Sequence, residues 1–401
     1  MRKITIWEQS TGTRLLAGEM VSHIDASGRA RCQFRYRPEF LEREGTYPLD
    51  PVSLPLRSGT FEADRKAIFD VFEDSLPDDW GRALLIRRHH LARGEQDLAN
   101  LLLALGSEGL GALIYGGDQL DKAPGDPAKE SEASVPDLEL LLEAAARYER
   151  GEEVDRELAL LFTAGSSPGG ARPKVLVYDP REKAHYLAKF PSVRDHVDVV
   201  RIEQATMSLA AKAGLATAPT RVVECAGHPV LLVHRFDLMP ERRRHMVSFR
   251  TLLKAGSYYF CRYGELHDVV RKFSVDPSRD AELLFRQMVF NALMGNTDDH
   301  LKNFWMVYGQ LEGWRLSPAF DLVPNIARRQ EHVLRFDLDP VNPGRRNLER
   351  LGRSWGVSGS RAIVEEICTN VAGWRTQFAE AGVRAGDIDR FREIDWNLAK
   401  A

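Results

Sequence analysis

Apolar and polar side chains alternate from the first residues onward. Ile4-Thr5-Ile6-Trp7 predicts a strand, and Leu15-Leu16-Ala17-Gly18 predicts a second after a Thr11-Gly12 turn. Cys32-Gln33-Phe34-Arg35-Tyr36 alternates and predicts a third, so the chain opens on a small antiparallel sheet, half exposed. Pro48, Pro51 and Pro55 punctuate a loop. The apolar run 67–72 then leads through the turn Ser75-Leu76-Pro77-Asp78-Asp79-Trp80-Gly81-Arg82 into a predicted helix over 83–91. A second short helix over 98–105 stops at Gly106. Nothing in this part has catalytic spacing, and it reads as a packing and partner-binding subdomain.

From 116 to 136 large apolar side chains nearly vanish and Gly, Asp, Lys, Pro, Ser and Glu take over, the signature of a linker. Helices are predicted over 138–150 and 158–162. Val175 to Tyr178 and His185 to Lys189 form a hairpin joined by an Asp179-Pro180-Arg181-Glu182 turn. A helix over 199–213 ends at Gly214, and Arg221–Glu224 with Val230–Val233 reads as a second antiparallel pair. Val230 to Val233 is apolar at consecutive positions, which predicts burial on both faces. The stretch 248–294 is mostly helical, with Leu284, Met288, Ala292 and Leu293 on one side, and 304–308 reads as a short strand. Helices near 362–371 and 374–381 close the chain. The expected organisation is an N-terminal subdomain over 1–116, a linker over 117–136, a β-rich lobe over 137–237 and a helical lobe over 238–401.

Composition narrows the class. The chain has 401 residues, 43% hydrophobic and 28% charged, enough for two cored domains. A net charge of -3 supplies no general drive toward DNA or an anionic membrane, so any DNA contact is expected to pass through a partner. Cys32, Cys225, Cys261 and Cys368 are scattered without metal-binding spacing, which suits a reducing cytoplasm. No apolar run reaches membrane-spanning length, and the first residues lack the apolar core of a secretion signal. A cytoplasmic protein without membrane contact is expected.

Candidate chemistry concentrates in Gly295-Asn296-Thr297-Asp298-Asp299-His300-Leu301-Lys302-Asn303-Phe304 and in Ser317-Pro318-Ala319-Phe320-Asp321. Asp298 and Asn303 are separated by four residues, the spacing of kinase catalytic loops. Phosphoryl transfer needs a carboxylate to accept the hydroxyl proton and hard oxygen ligands to hold Mg²⁺ against the phosphates. Asp298 and Asn303 can divide those tasks, and Asp321 can add a second metal ligand. A capped turn, rich in Asn, Thr and Asp for local hydrogen bonding, is the simpler alternative.

Upstream, Gly165-Ser166-Ser167-Pro168-Gly169-Gly170-Ala171-Arg172-Pro173-Lys174 feeds a strand rather than a helix, closer to a kinase phosphate flap than to a P-loop. Lys189 ends an apolar strand, where a phosphate-neutralising lysine would sit, and Glu203 on the next helix could orient it. Solvent-seeking Lys and surface Glu are the plain alternatives. His234-Arg235-Phe236-Asp237, at the end of a buried strand, makes a hinge whose backbone could meet an adenine edge. Flap, lysine strand, helix, hinge, helical lobe, catalytic loop and metal aspartate follow the order of a bilobal kinase.

With these stretches assembled, the sequence resembles the HipA family of bacterial toxin serine/threonine kinases. The resemblance is carried by Leu76 to Arg82, Gly109-Leu110-Gly111-Ala112-Leu113, Ser167 to Lys174, Lys189-Phe190-Pro191, His234 to Asp237, Asn296 to Asn303 and Ser317 to Asp321. It implies an α+β, bilobal kinase-like fold with a small N-terminal α/β subdomain, a β-rich N-lobe and a mainly helical C-lobe. It implies Asp298 as catalytic base, Asn303 and Asp321 as Mg²⁺ ligands, and ATP as phosphate donor. Lys189, Ser167, Gly169, Gly170, His234, Phe236, Asp237, His300 and Lys302 are the expected nucleotide-contacting set. Ser167, or its neighbour Ser166, stands where the family carries an autophosphorylated serine. Asp299 occupies a position where the family tolerates a small residue and is a second candidate base, with spacing to Asn303 favouring Asp298. The implied partners are a HipB-like helix-turn-helix antitoxin, DNA only through that antitoxin, and a translation component such as an aminoacyl-tRNA synthetase as phosphorylated target. A nucleotide-binding pseudokinase that corepresses with the antitoxin is the alternative from another class.

Overall fold

The computed structural model describes residues 1–63, 66–118, 135–152, 172–239, 242–257, 260–309, 312–327 and 329–400. The chain packs as two compact units. One holds Met1–Val193, Arg235–Val247 and Tyr308–Leu311, and the other Arg194–His234, Ser248–Val307 and Glu312–Ala401.

In the first unit the strands β1 (Arg2–Glu8), β2 (Leu15–Ile24), β3 (Ala30–Tyr36), β4 (Phe61–Ala63) and β5 (Leu113–Gly116) form a sheet in the order β4-β3-β2-β1-β5. The strands pair antiparallel, with Ile4 opposite Met20 and Ile6 opposite Gly18. β3 alternates buried and open positions as expected, but β1 is buried at every position from Ile4 to Glu8. The half-exposed expectation fails there because polar positions are engaged by residues distant in the chain as well, the Tyr47 hydroxyl donating to Glu8 at 2.7 Å and the Thr5 hydroxyl to the Gly117 carbonyl at 3.1 Å. Gly18 is required at its place: a Cβ would stand 2.5 Å from the Phe34 ring and from the Arg35 carbonyl. Phe34 in turn packs against Phe72 and Phe61 at ring-centroid distances of 5.5 and 6.5 Å, so the apolar run before Ser75 closes the core over this sheet.

The expected helix over 83–91 begins earlier, at Asp79–Arg88, because Asp78 caps it by accepting from the Gly81 N–H. Leu98–Leu105 is helical, capped by Asp97, and stops at Gly106 with φ 57 as expected. Leu138–Glu149 is helical, while the helix expected over 158–162 lies outside the described residues, as does most of the expected linker. β6 (Lys174–Asp179) and β7 (Ala184–Lys189) form the expected hairpin, in a register that sets Lys174 opposite Lys189.

In the second unit the helix Val199–Lys212 starts on Asp198, which accepts from the Arg201 N–H. β8 (Thr220–Cys225) and β9 (His228–His234) pair with Cys225 opposite His228. The two turn residues Ala226 and Gly227 have φ 47 and 77, the left-handed pair that matches the twist of a tight hairpin. Val230, Leu231, Leu232 and Val233 are all buried, as consecutive apolar positions require. The helices Tyr263–Phe273 and Pro277–Met294 follow, the second buried nearly all round from Leu284 onward and closed by Gly295 at φ 67. The strands Trp305–Gly309 and Gly313–Leu316 lie side by side, and helices including Arg345–Ser354, Ser360–Val371, Trp374–Glu380 and Glu393–Ala399 complete the unit. Among the described residues, no helix is long and apolar enough to cross a membrane.

Candidate active site

The loop 295–303 leaves the buried helix Pro277–Met294 and enters the strand Trp305–Gly309 through a single helical turn, Leu301–Asn303. Two side-chain amides fix its start: Asn296 Nδ2 donates to Asn291 Oδ1 at 3.1 Å, and Asn291 Nδ2 donates to the Tyr263 hydroxyl at 3.0 Å. The adjacent carboxylates then diverge. Asp298 is exposed, whereas Asp299 is 1% exposed.

Asp299 is surrounded by donors. Its Oδ1 accepts from the Val333 and Leu334 N–H groups at 3.0 and 3.2 Å. Its Oδ2 accepts from the Tyr263 hydroxyl at 2.6 Å and lies 3.1 Å from His332 Nδ1. Burial, followed by the Asp299 charge, holds the Tyr263 hydroxyl well above its ordinary range, so it stays a donor. A carboxylate with four donors at hydrogen-bond distance and no solvent path is a fastening, and Asp298 is the one of the two open to an incoming hydroxyl. No signal in the local sequence pointed to Tyr263 or His332, which come from 36 and 33 residues away.

Asn303 is oriented from within the loop. Its Nδ2 donates to the Asp298 carbonyl at 2.9 Å, its N–H donates to the His300 carbonyl at 2.8 Å, and the side chain is buried. An amide anchored through nitrogen directs its oxygen elsewhere, and oxygen is the donor a hard cation requires. His300 precedes this turn and Lys302 lies within it, both half-buried. The Lys302 carbonyl accepts from Trp305 Nε1 at 2.7 Å, which locks the turn against the strand.

Asp321 is brought toward the same end of the strand pair. Ser317 N–H donates to the Trp305 carbonyl at 2.9 Å, so Asn303, two residues before Trp305, and Asp321, four after Ser317, leave the pair on one side. Asp280 secures this arrangement from below. It takes Arg315 at 2.9 Å, the Leu316 N–H at 2.9 Å and the Ser274 hydroxyl at 2.6 Å. Ala319 is clipped to the 216–218 segment by bonds of 2.7 and 2.9 Å, and the neighbouring Pro219 carbonyl accepts from the His234 N–H at 2.8 Å. Asp321 itself has φ 58, a left-handed conformation costing an L residue on the order of 1 kcal/mol. Asn303 and Asp321 offer hard oxygen donors suited to Mg²⁺, which is commonly held by one or two side chains plus substrate phosphates. Among the described residues no group of three or more His, Cys, Asp or Glu is placed to hold a metal ion by itself.

The remaining expected residues lie as follows. Lys189 ends β7 and is half-buried, and Glu203 is 4% exposed on the helix Val199–Lys212, not a surface residue. Ser166, Ser167, Gly169 and Gly170 lie outside the described residues. His234 and Phe236 are half-buried, and the His234 and Arg235 N–H groups go to the Pro219 and His185 carbonyls, so those two are not the donors an adenine edge would meet. Asp237, expected among the nucleotide contacts, is 1% exposed and engaged by protein. Arg235 Nε and Nη2 reach its two oxygens at 2.6 and 2.7 Å, and the Gly111 N–H donates at 3.0 Å. Burial pushes its carboxyl up, yet the Arg235 guanidinium outweighs this and holds it below the ordinary range. Its geometry is that of an anchor between the hinge and the Gly109–Leu113 stretch.

The model of the HipA-like C-terminal domain matches residues 166–375, and that of the HipA N-terminal domain matches residues 15–116. The chain belongs to the HipA family. Two relatives from Sinorhizobium fredii, each named a putative kinase (Y4mE and Y4dM), are 26% and 24% identical to it. The first match covers 91% of this chain and 84% of the relative, the second 78% and 76%. Among solved structures, the HipA of the Shewanella oneidensis toxin–antitoxin complex of HipA, HipB and operator DNA is similar with a TM-score of 0.66. That likeness is at 18% identity and covers 98% of this chain and 95% of the other. The HipA family and the α+β kinase-like fold expected from the motifs are therefore those of this protein.

Proposed function

We propose that this HipA-family protein is an ATP- and Mg²⁺-dependent serine/threonine protein kinase, the toxin of a toxin–antitoxin pair. The observation that carries the reading is the division of labour within one loop: Asp298 faces solvent, Asp299 is sealed behind it, and Asn303 is tethered through its nitrogen to the Asp298 carbonyl.

In this reading the acceptor hydroxyl oxygen forms a bond to the γ-phosphorus while the bond to the β,γ-bridging oxygen breaks and ADP departs. The hydroxyl proton passes to the Asp298 carboxylate. Mg²⁺, when bound, neutralises charge on the phosphate oxygens. Asn303 Oδ1 and the Asp321 carboxylate are the side-chain oxygens that would hold it. Lys189, with Lys302 and His300, offers positive or donor groups to the phosphates, and the backbone around His234 and Phe236 borders the adenine. Ser167, or Ser166, is the proposed autophosphorylation site. A HipB-like antitoxin is the proposed partner, with DNA reached through it, and an aminoacyl-tRNA synthetase-like protein the proposed target in the cytoplasm. The partner rests on family membership and on the composition of the Shewanella complex, and the target on the family resemblance alone.

The test is Asp298→Asn. Because the side chain is exposed, the fold is expected to keep its thermal midpoint while phosphate incorporation from labelled ATP falls by about three orders of magnitude or more. Retained incorporation refutes the role. An inactive wild type that nonetheless binds ATP supports the pseudokinase alternative.

A further inference from the structure

Asp78 belongs to the Leu76–Arg82 stretch, which had no chemical part in the reading of the sequence. Its Oδ1 caps the helix Asp79–Arg88, accepting from the Gly81 N–H at 2.9 Å. Its Oδ2 lies 3.0 Å from Lys174 Nζ, and the two side chains are only 8% and 4% exposed. The contact is off the hydrogen-bond direction, so charge rather than alignment holds it. Lys174 is the first residue of β6, next along the chain to the Gly-rich stretch, and stands directly opposite Lys189 in the β6–β7 ladder. Side chains so opposed have Cβ atoms roughly 4.5–5.5 Å apart, and like charges there repel. The N-terminal segment thus sends a buried carboxylate to one member of a cross-strand lysine pair.

We propose that Asp78 is a positioning residue for nucleotide binding. By neutralising Lys174 it keeps the first residue of β6 in register against Lys189, so the N-terminal subdomain takes part in shaping the phosphate site. The inference rests on the kinase reading above. It assigns the Leu76–Arg82 stretch a part in nucleotide binding besides any partner binding.

The test is a double-mutant cycle on the full chain: wild type, Asp78→Asn, Lys174→Met and the double variant, titrated with Mg-ATP by calorimetry and assayed for labelled-phosphate transfer. Asn keeps the helix cap but takes the carboxylate charge away from the Lys174 ammonium. Asp78→Asn is expected to weaken ATP binding about tenfold or more while changing kcat less than about threefold. The double variant, with both charges of the pair removed, is expected to bind within about threefold of wild type. A role confined to capping gives Lys174→Met no power to rescue. A double variant as weak as Asp78→Asn, or an Asp78→Asn that binds like wild type, overturns the proposal. If Asp78→Asn does not fold alone, Lys174→Met, which strands the opposite charge, replaces it against the same double variant. A wild type that binds ATP but transfers no phosphate sinks the kinase reading and leaves the binding ratios as the test. A wild type that binds no ATP overturns both.

Discussion

Removing the Asp299 carboxylate should reveal a fastening, and the structure gives the size of the effect. Asp299→Ala leaves two backbone N–H groups, the Tyr263 hydroxyl and the His332 ring without their acceptor in a site 1% exposed. Each buried donor left unsatisfied costs about 1–3 kcal/mol, with partial relief from water entering the space. A total of about 3–5 kcal/mol follows, the range for stripping one partner from a buried charged network. At roughly 2–4 °C per kcal/mol for a folded unit of this size, the midpoint should drop on the order of 10 °C. Asp299→Asn should lose about half as much, because its oxygen still accepts from Val333 and Leu334. Asp298→Ala, at an exposed position one residue away, should stay within about 0.5 kcal/mol of wild type. The assay is thermal unfolding beside labelled-phosphate transfer. If Asp299→Ala unfolds with the wild type while Asp299→Asn is catalytically dead, Asp299 is the base and the fastening argument is wrong.

Three further outcomes follow from residues elsewhere. Burial lowers the His245 pKa to about 4, with its Nε2 2.7 Å from the Leu49 carbonyl. Between about pH 6.5 and 4 the unfolded chain takes up a proton the folded state refuses, so this stabilisation is complete above pH 6.5 and lost as pH falls, up to about 3 kcal/mol. Glu8, raised by burial, acts in the opposite sense, so the measure is the difference in stability-versus-pH slope between wild type and His245→Gln; parallel slopes refute the assignment. Gly352→Ala would set a Cβ 2.6 Å from the Phe285 ring and the Ser360 Cβ and should cost about 1–3 kcal/mol in denaturant unfolding. Gly264→Ala, in the helix Tyr263–Phe273 with nothing within 4 Å, should instead stabilise by about 0.5–1 kcal/mol.

How far the chain could be read in advance depended on whether the deciding partner lay nearby. The β6–β7 and β8–β9 hairpins were legible because turn residues and alternation sit within a dozen positions. The burial of β1 was not, since Glu8 and Thr5 are engaged by Tyr47 and Gly117 from elsewhere in the chain, and the helix start at Asp79 hid behind an apolar count that ignored its cap. Buried ion pairs were equally hidden. Asp78–Lys174 and the Gly111 bond to Asp237 each join motifs that were recognisable singly, yet no local pattern states which polar residue will be drawn inside to meet which.

The candidate site shows the same division within two residues. Asp298 and Asp299 are chemically identical neighbours, and spacing to Asn303 supplied the only preference between them. In a loop with no repeating geometry, one step along the backbone turns a side chain from solvent to interior. What decides the role of each is therefore the set of donors waiting on either side. For Asp299 those donors come from the helix Tyr263–Phe273 and the 332–334 segment, and four of them converge on one carboxylate. For Asp298 the side chain remains in water while its own carbonyl anchors Asn303. A base must be able to receive a proton from something outside the protein, and a carboxylate already occupied by four internal donors is unavailable for that. On this ground the exposed member of the pair is the one suited to chemistry, and the buried one serves by keeping the loop that carries it in place.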